Sequence, residues 1–229
     1  MLLPLLVLVL HVLGLLSLGA LPRLDDLLYD ARQRLGAPHA LDERIVIVDI
    51  DERSLAEVGR WPWPRDRVAD LVDHLFDRHQ VRLLGMDTVF AEPDPAGGLQ
   101  VLQRLQTMPL ASRPEVAEQL RALQVEFDPD ARLARALQGR PVVLGYYFTS
   151  DRDGQRNGQL PEPVLSLADT RQTPPVALTQ WDGFGANLPT LAQAAPHAGF
   201  FNAITERDGV VRALPLLAAH DGAVYESLA

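Results

Sequence analysis

From Met1 to Leu21 the chain carries no charged side chain, and only Pro4, His11, Gly14, Ser17 and Gly19 interrupt the apolar run. As a helix this stretch spans ~30 Å at about 1.5 Å per residue, the thickness of a bilayer's hydrocarbon core. The pattern predicts a transmembrane anchor over residues 1–21. A cleaved signal peptide is the rival reading, with Ser17-Leu18-Gly19 as a small-x-small cleavage site. Such peptides carry a basic n-region, and here no Arg precedes Arg23. Next, Leu24, Leu27, Leu28, Ala31 and Leu35 recur at helical spacing, while Arg23, Asp25, Asp26, Asp30, Arg32 and Arg34 fill the other face. Gly36 and Pro38 end the pattern, so residues 22–37 are expected to form an amphipathic juxtamembrane stalk. The stalk either carries motion between compartments or packs its leucines on the folded body.

Residues 38–229 read as one domain. Arg44-Ile45-Val46-Ile47-Val48-Asp49-Ile50-Asp51 is a β-branched run of the kind buried on both faces of a parallel sheet. Val68, Leu71, Val72, Leu75 and Phe76 then mark one stripe of a helix over 67–79, and Val81–Phe90 supplies a second strand, completing a β-α-β unit with a right-handed crossover. Helices are predicted at 98–107, 114–125 and 129–138, the last capped by Asp128 or Asp130, and Pro141–Phe148 reads as a third strand. Residues 151–190 are rich in Gly, Pro, Gln and Asn and are expected to run over the body as an irregular excursion. Order returns at Ala198–Ile204, with Asp208-Gly209 as the turn of a hairpin and Val210–Ala218 as its returning strand. A second Asp-Gly, at 221–222, precedes a helical start at Tyr225. The abrupt ending at Ala229 is expected of a domain truncated at its C-terminal side. The fold class is therefore α/β, with a central, mainly parallel sheet, helical crossovers and a C-terminal β-hairpin, preceded by the membrane helix and stalk.

Composition narrows the chemistry. Thirty acidic against 21 basic side chains leave a net charge of −9, which disfavours a nucleic-acid partner. Every basic residue is Arg, so a Lys Schiff base, P-loop Lys or Lys general base is excluded by inventory. The absence of Cys removes disulfides, thiolate nucleophiles and Cys zinc sites.

Asp49 and Asp51 close the first predicted strand, and Asp87, Glu92 and Asp94 lie at or beyond the end of the second. Open parallel sheets bind ligands in the crevice beyond the carboxyl ends of their strands. Two readings are open. Converging carboxylates would recruit a hard cation, Mg²⁺ or Ca²⁺, or they form a salt-bridge network with Arg53, Arg60 and Arg65, which is the leading reading. No other cofactor is expected. In Gly59-Arg60-Trp61-Pro62-Trp63-Pro64-Arg65 each Trp precedes a Pro, which drives it from helical geometry and stiffens the loop. Trp61 and Trp63 could wall a ligand with Arg65 reaching an anion, or simply seal the core and fix entry to the following helix.

A strand ending in Asp-x-Asp resembles the haloacid-dehalogenase phosphohydrolases, but that class wants Thr or Val where Arg53 stands, and a later Lys. Ser54 lacks the glycine elbow of a serine hydrolase. His11, His39, His74, His79, His197 and His220 show no metal-ligand spacing. No catalytic residue is assigned, and a metal-dependent phosphohydrolase using Asp49, Asp51 and Asp87 stays as the enzymatic alternative. A purely structural dimerisation module is the other.

Taken in order, the stalk ending Leu28-Tyr29-Asp30, the run Arg44–Leu55, the Gly59–Arg65 loop, Gly85-Met86-Asp87-Thr88-Val89-Phe90-Ala91-Glu92-Pro93-Asp94, Gly199-Phe200-Phe201-Asn202 and Asp208–Leu216 resemble the CHASE type-2 family, the cyclase- and histidine-kinase-associated sensory extracellular domain. The match is poorest at 97–126 and 151–190. The resemblance implies a receptor anchored in the inner or plasma membrane, with a sensor on the extracytoplasmic, periplasmic side. It also implies a cytoplasmic cyclase, kinase or phosphatase output that this chain does not contain. The expected partners are the membrane, a second copy of the chain in a homodimer and an unknown small ligand or ion. The candidate ligand-binding residues are Asp49, Asp51, Trp61, Trp63, Arg65, Asp87, Glu92 and Asp94.

Overall fold

The computed structural model describes residues 7, 9, 20–37, 42–95, 98–150, 154–166, 168 and 178–229. The expected anchor over 1–21 lies almost wholly outside them. Among the described residues no helix is long and apolar enough to cross a membrane. The chain separates into two compact units, Met1–Arg53 and Ser54–Ala229.

In the first unit, helix α1 (Ala20–Gly36) covers the predicted amphipathic stretch. Leu24, Leu27, Leu28 and Leu35 are all exposed. The strand expected at 44–51 is not there: residues 44–51 carry neither helix nor strand, and Ile45, Val46, Ile47 and Val48 are exposed. A β-branched sequence suits a pleated surface but does not make one without a neighbour to take its backbone hydrogen bonds. Local bonds claim the start of the run instead. The Arg44 amide donates to Asp42 Oδ1 at 3.0 Å, its guanidinium grips the same carboxylate, and the Ile45 amide donates to the Asp42 carbonyl at 3.0 Å.

Helix α2 (Glu52–Val58) precedes the Trp-Pro loop, in which the Trp61–Pro62 peptide is cis. Helix α3 (Arg65–Asp77) begins two residues before the predicted start and ends where Gln80 turns into the left-handed region at φ 52°. Strand β1 (Leu84–Met86) is much shorter than the predicted 81–90. At the far end of the predicted span the backbone of Phe90 pairs outside the sheet: its amide donates to Asn187 Oδ1 at 2.9 Å, and its carbonyl accepts from the Leu188 amide at 2.8 Å. Helices α4 (Leu99–Gln106), α5 (Pro114–Glu126) and α6 (Pro129–Leu137) fall where the periodicity put them. The last two start on a Pro, whose missing N–H is one the first turn leaves unused. Asp128, not Asp130, caps α6, accepting from the Ala131 amide at 3.0 Å.

Strand β2 (Val142–Thr149) is the spine of the second unit. Its first half runs parallel to β1, and its last three residues pair antiparallel with a later strand. The stretch 151–190, expected to be irregular, contains short strands β3 (Arg156–Asn157), β4 (Leu165–Ser166), β5 (Thr179–Trp181) and β6 (Gly183–Gly185) and opens α7 (Pro189–Ala194); residues 151–153, 167 and 169–177 lie outside the description. Strand β7 (His197–Phe200) pairs parallel with β2 on the side away from β1, and β6 pairs antiparallel with β2 and parallel with β3. The central sheet is therefore mixed and not mainly parallel. Strand β6 comes back along the last three residues of β2 in the opposite direction after the long 150–182 excursion, a connection that leaves either pairing sense open to the packing.

The C-terminal hairpin exists but is displaced. Strands β8 (Leu217–His220) and β9 (Ala223–Glu226) pair antiparallel across Asp221-Gly222, and the helix expected at Tyr225 is strand. Asp221 and Gly222 both have positive φ, 48° and 76°, the geometry whose twist matches two flanking strands. Asp208-Gly209 makes only a turn, with Gly209 donating to Glu206 at 3.0 Å. A second mixed sheet runs β4-β9-β8-β5.

Two apolar clusters follow from this topology. Val142 and Leu144 of β2 pack with Val68, Ala69 and Val72 of α3, Leu133 and Leu137 of α6, and Leu191 of α7. Further along β2, Tyr146 and Phe148 pack with Phe200, Ala218 and Tyr225. Between them Gly145 has no room for a side chain, since a Cβ there would stand 2.5 Å from the Met86 carbonyl oxygen. At the surface between α3 and α6, Arg132 pairs with Asp70 and Asp73, and Arg140 with Asp73 and Asp77. Burial pushes the Asp73 carboxyl up, but hydrogen bonds from Arg132 and Arg140 outweigh it and hold it below the usual carboxylate range.

Candidate functional site

Arg65 opens α3, and the loop after β1 brings Phe90, Glu92 and Asp94 to it. Asp94 Oδ2 accepts from the Arg65 amide at 2.6 Å, so a side chain distant in sequence satisfies one of the orphan donors at this helix start. The guanidinium donates to the Glu92 carbonyl at 3.1 Å, stands 3.3 Å from Asp130 Oδ1, and lies over the Phe90 ring at 4.3 Å. Asp130 Oδ2 in turn accepts from the Asp94 amide at 3.0 Å. Arg65, Asp94 and Asp130 are 8%, 6% and 7% exposed, so the guanidinium faces the Asp130 carboxylate out of water while the Asp94 carboxylate is held by the Arg65 backbone amide. Burial drives the Asp130 carboxyl above its ordinary value, against the opposing pull of the Asp94 amide and Arg65.

Of the residues singled out from the sequence, Arg65 and Asp94 are thus brought into one knot, and Glu92 joins through its backbone carbonyl while its side chain is exposed. The reach of Arg65 is spent inward. Trp61 and Trp63 meet edge to face, with ring centroids 5.7 Å apart. Trp63 donates its indole N–H to the Gly59 carbonyl at 2.8 Å and packs against the first core cluster, while Trp61 is 38% exposed. Asp87 is exposed at the end of β1 and lines a shallow cleft of about 270 Å³ with Phe200, Phe201, Asn202 and Leu214. This cleft sits at the carboxyl ends of the parallel strands, where the topology rule places ligand crevices. Its wall is braced by Asn202, whose amide group donates to the Phe148 carbonyl at 2.9 Å and accepts from the Phe148 amide at 2.7 Å. Asp49 and Asp51 belong to the other unit, where both are exposed. Among the described residues, no group of three or more His, Cys, Asp or Glu is placed to hold a metal ion.

Sequence reasoning did not connect Asp130, Asn187 or Asn202 with these features. Asp130 had one available signal: in Asp128-Pro129-Asp130 a single carboxylate suffices to cap the helix, which leaves the other for a different partner. The two asparagines are buried or half-buried in loops that carry no periodicity.

The described residues thus form a mixed α/β domain with a buried ion knot and shallow clefts. The CHASE2 domain model matches residues 6–229, essentially the whole chain, and the protein belongs to that family of extracellular sensory domains. No curated protein and no solved structure matched the chain.

Proposed function

We propose that this chain is the extracytoplasmic sensory part of a membrane-anchored receptor. In this reading residues 1–21 form the anchor, and an external stimulus changes the state of the domain and is relayed to a cytoplasmic output domain outside the present sequence. The match to a sensory family over 6–229, joined to an uncharged apolar leader of bilayer length, is the observation that carries it. The domain acts by binding, with no turnover of its own, and any ligand must favour one of its states over the other. Cells expressing the full-length protein are expected to hold it in membranes resistant to alkaline extraction, with the 54–229 portion cut by protease added outside spheroplasts. Recovery in the aqueous fraction with the leader still attached would overturn this.

The receptor works as a homodimer in this reading. Leu24, Leu28, Ala31 and Leu35 recur at intervals of four, three and four along α1, the seam of a two-stranded coiled coil. Sedimentation of the detergent-solubilised protein is expected to give a dimer, and Leu28→Glu, which places a charge in that seam, a monomer. A dimer that persists in Leu28→Glu removes α1 from the interface.

A further inference from the structure

A second cleft, of about 200 Å³, opens where β2 meets α7 and the 159–162 loop. Leu144, Tyr146, Leu160 and Ala192 are among the apolar residues that line it. The walls are held before any ligand arrives. Asn187, 2% exposed, donates from Nδ2 to the Gly145 carbonyl at 2.9 Å and accepts at Oδ1 from Phe90, while its own carbonyl takes the Gln159 amide at 2.9 Å and so fastens the loop. Such preorganisation lowers the ordering cost of binding.

The lining and the charge at its edge point to what it takes. Tyr146, 1% exposed, lines the cleft, while its hydroxyl, without a hydrogen-bond partner among the described residues, is closed to solvent and lies near Tyr225 and Glu226, which do not line it. At the rim stands Glu162, and among the described lining residues no Arg offsets it; the chain has no Lys at all. An apolar cavity of ~150 Å³ takes benzene, so this cleft suits a body of about one ring or a short branched chain.

We infer that the β2–α7 cleft binds a small organic amine, its apolar body on Leu144, Tyr146 and Ala192 and its cationic nitrogen at Glu162. This gives the sensory reading a ligand class, although the binding itself is measurable whether or not the chain signals. Calorimetric titration of the full chain with 2-phenylethylamine, 2-phenylethanol and phenylacetate separates cation, neutral and anion on one apolar body. The amine is expected to bind saturably, with phenylacetate giving no heat and phenylethanol binding at least tenfold more weakly. Glu162→Gln is expected to weaken the amine at least tenfold, and Ala192→Phe, which fills the cleft, to abolish binding with an unchanged circular dichroism spectrum. Absence of saturable amine binding, equal affinity for phenylethanol, or less than a twofold effect of Glu162→Gln overturns the inference. Membrane retention of the same protein alongside any of these results leaves the sensory reading standing and removes only the cleft.

Discussion

Arg65→Met is expected to destabilise the 54–229 unit by about 3–5 kcal/mol, the range for removing one partner of a buried ion pair. Methionine keeps most of the side-chain volume over Phe90 but takes away the guanidinium facing Asp130, and it leaves the Glu92 carbonyl without its donor. With typical domains stable by ~5–15 kcal/mol, a loss of this size removes a large share of the total. The deficit should also depend on pH with a definite sign. Asp130 has a folded-state pKa already raised by burial, and removing Arg65 raises it further. A group of that kind favours the fold fully below its unfolded pKa of ~3.9, and the contribution is lost as pH rises through the folded value. Arg65→Met is therefore expected to lose most at neutral pH and to approach the wild type as the solution is acidified through the carboxylate range. Urea unfolding followed by Trp fluorescence at two pH values checks both statements. A loss under about 1 kcal/mol at neutral pH would show that Arg65 is not buried against Asp130.

The second large effect is expected at Asn187. Asn187→Leu preserves shape but strands two buried backbone groups, the Phe90 N–H and the Gly145 C=O. Each buried group left unpaired costs ~1–3 kcal/mol, so the variant is expected to lose roughly 2–6 kcal/mol. Because one kcal/mol moves the melting temperature of a domain this size by about 2–4 °C, the shift is readily measured. Hydrogen exchange supplies an independent reading: the Phe90 amide should exchange far faster in the variant than the amides of β2. Wild-type protection at Phe90 in Asn187→Leu would mean that its N–H has another acceptor. Neither variant is a surface change. Arg65→Met opens the loop after β1, whereas Asn187→Leu loosens the link from that loop to α7.

Helices were the most legible part of this chain. The stripe Val68, Leu71, Val72, Leu75, Phe76 and the Pro-started segments at 114 and 129 lead directly to α3, α5 and α6, because helical hydrogen bonds close within a few residues and the pattern needs no distant partner. The apolar run Val142–Phe148 was legible as a buried strand for its length and composition. Strand pairing was less so. Ile45–Val48 has the same β-branched character as a buried strand yet carries no strand structure, and β1 is only three residues long, with Phe90 at the end of the predicted span bonded to Asn187 instead. The hairpin was expected at Asp208-Gly209 and a helical start after Asp221-Gly222, whereas the strands that pair flank Asp221-Gly222.

By itself the amino-acid order determined the helices α1 and α3 to α6, the absence of Lys and Cys chemistry, the acidic balance, the uncharged leader and the family. Those properties are local or additive, so they survive without knowing what touches what. The tertiary structure alone decided that Arg65 turns inward to Asp130 and that Asp94 caps a helix 29 positions before it. It also decided that Leu144, Tyr146 and Ala192 come together with Glu162 around one cleft. Each of these depends on which groups lose their water together, and desolvation is a property of the packed whole that no window of sequence contains.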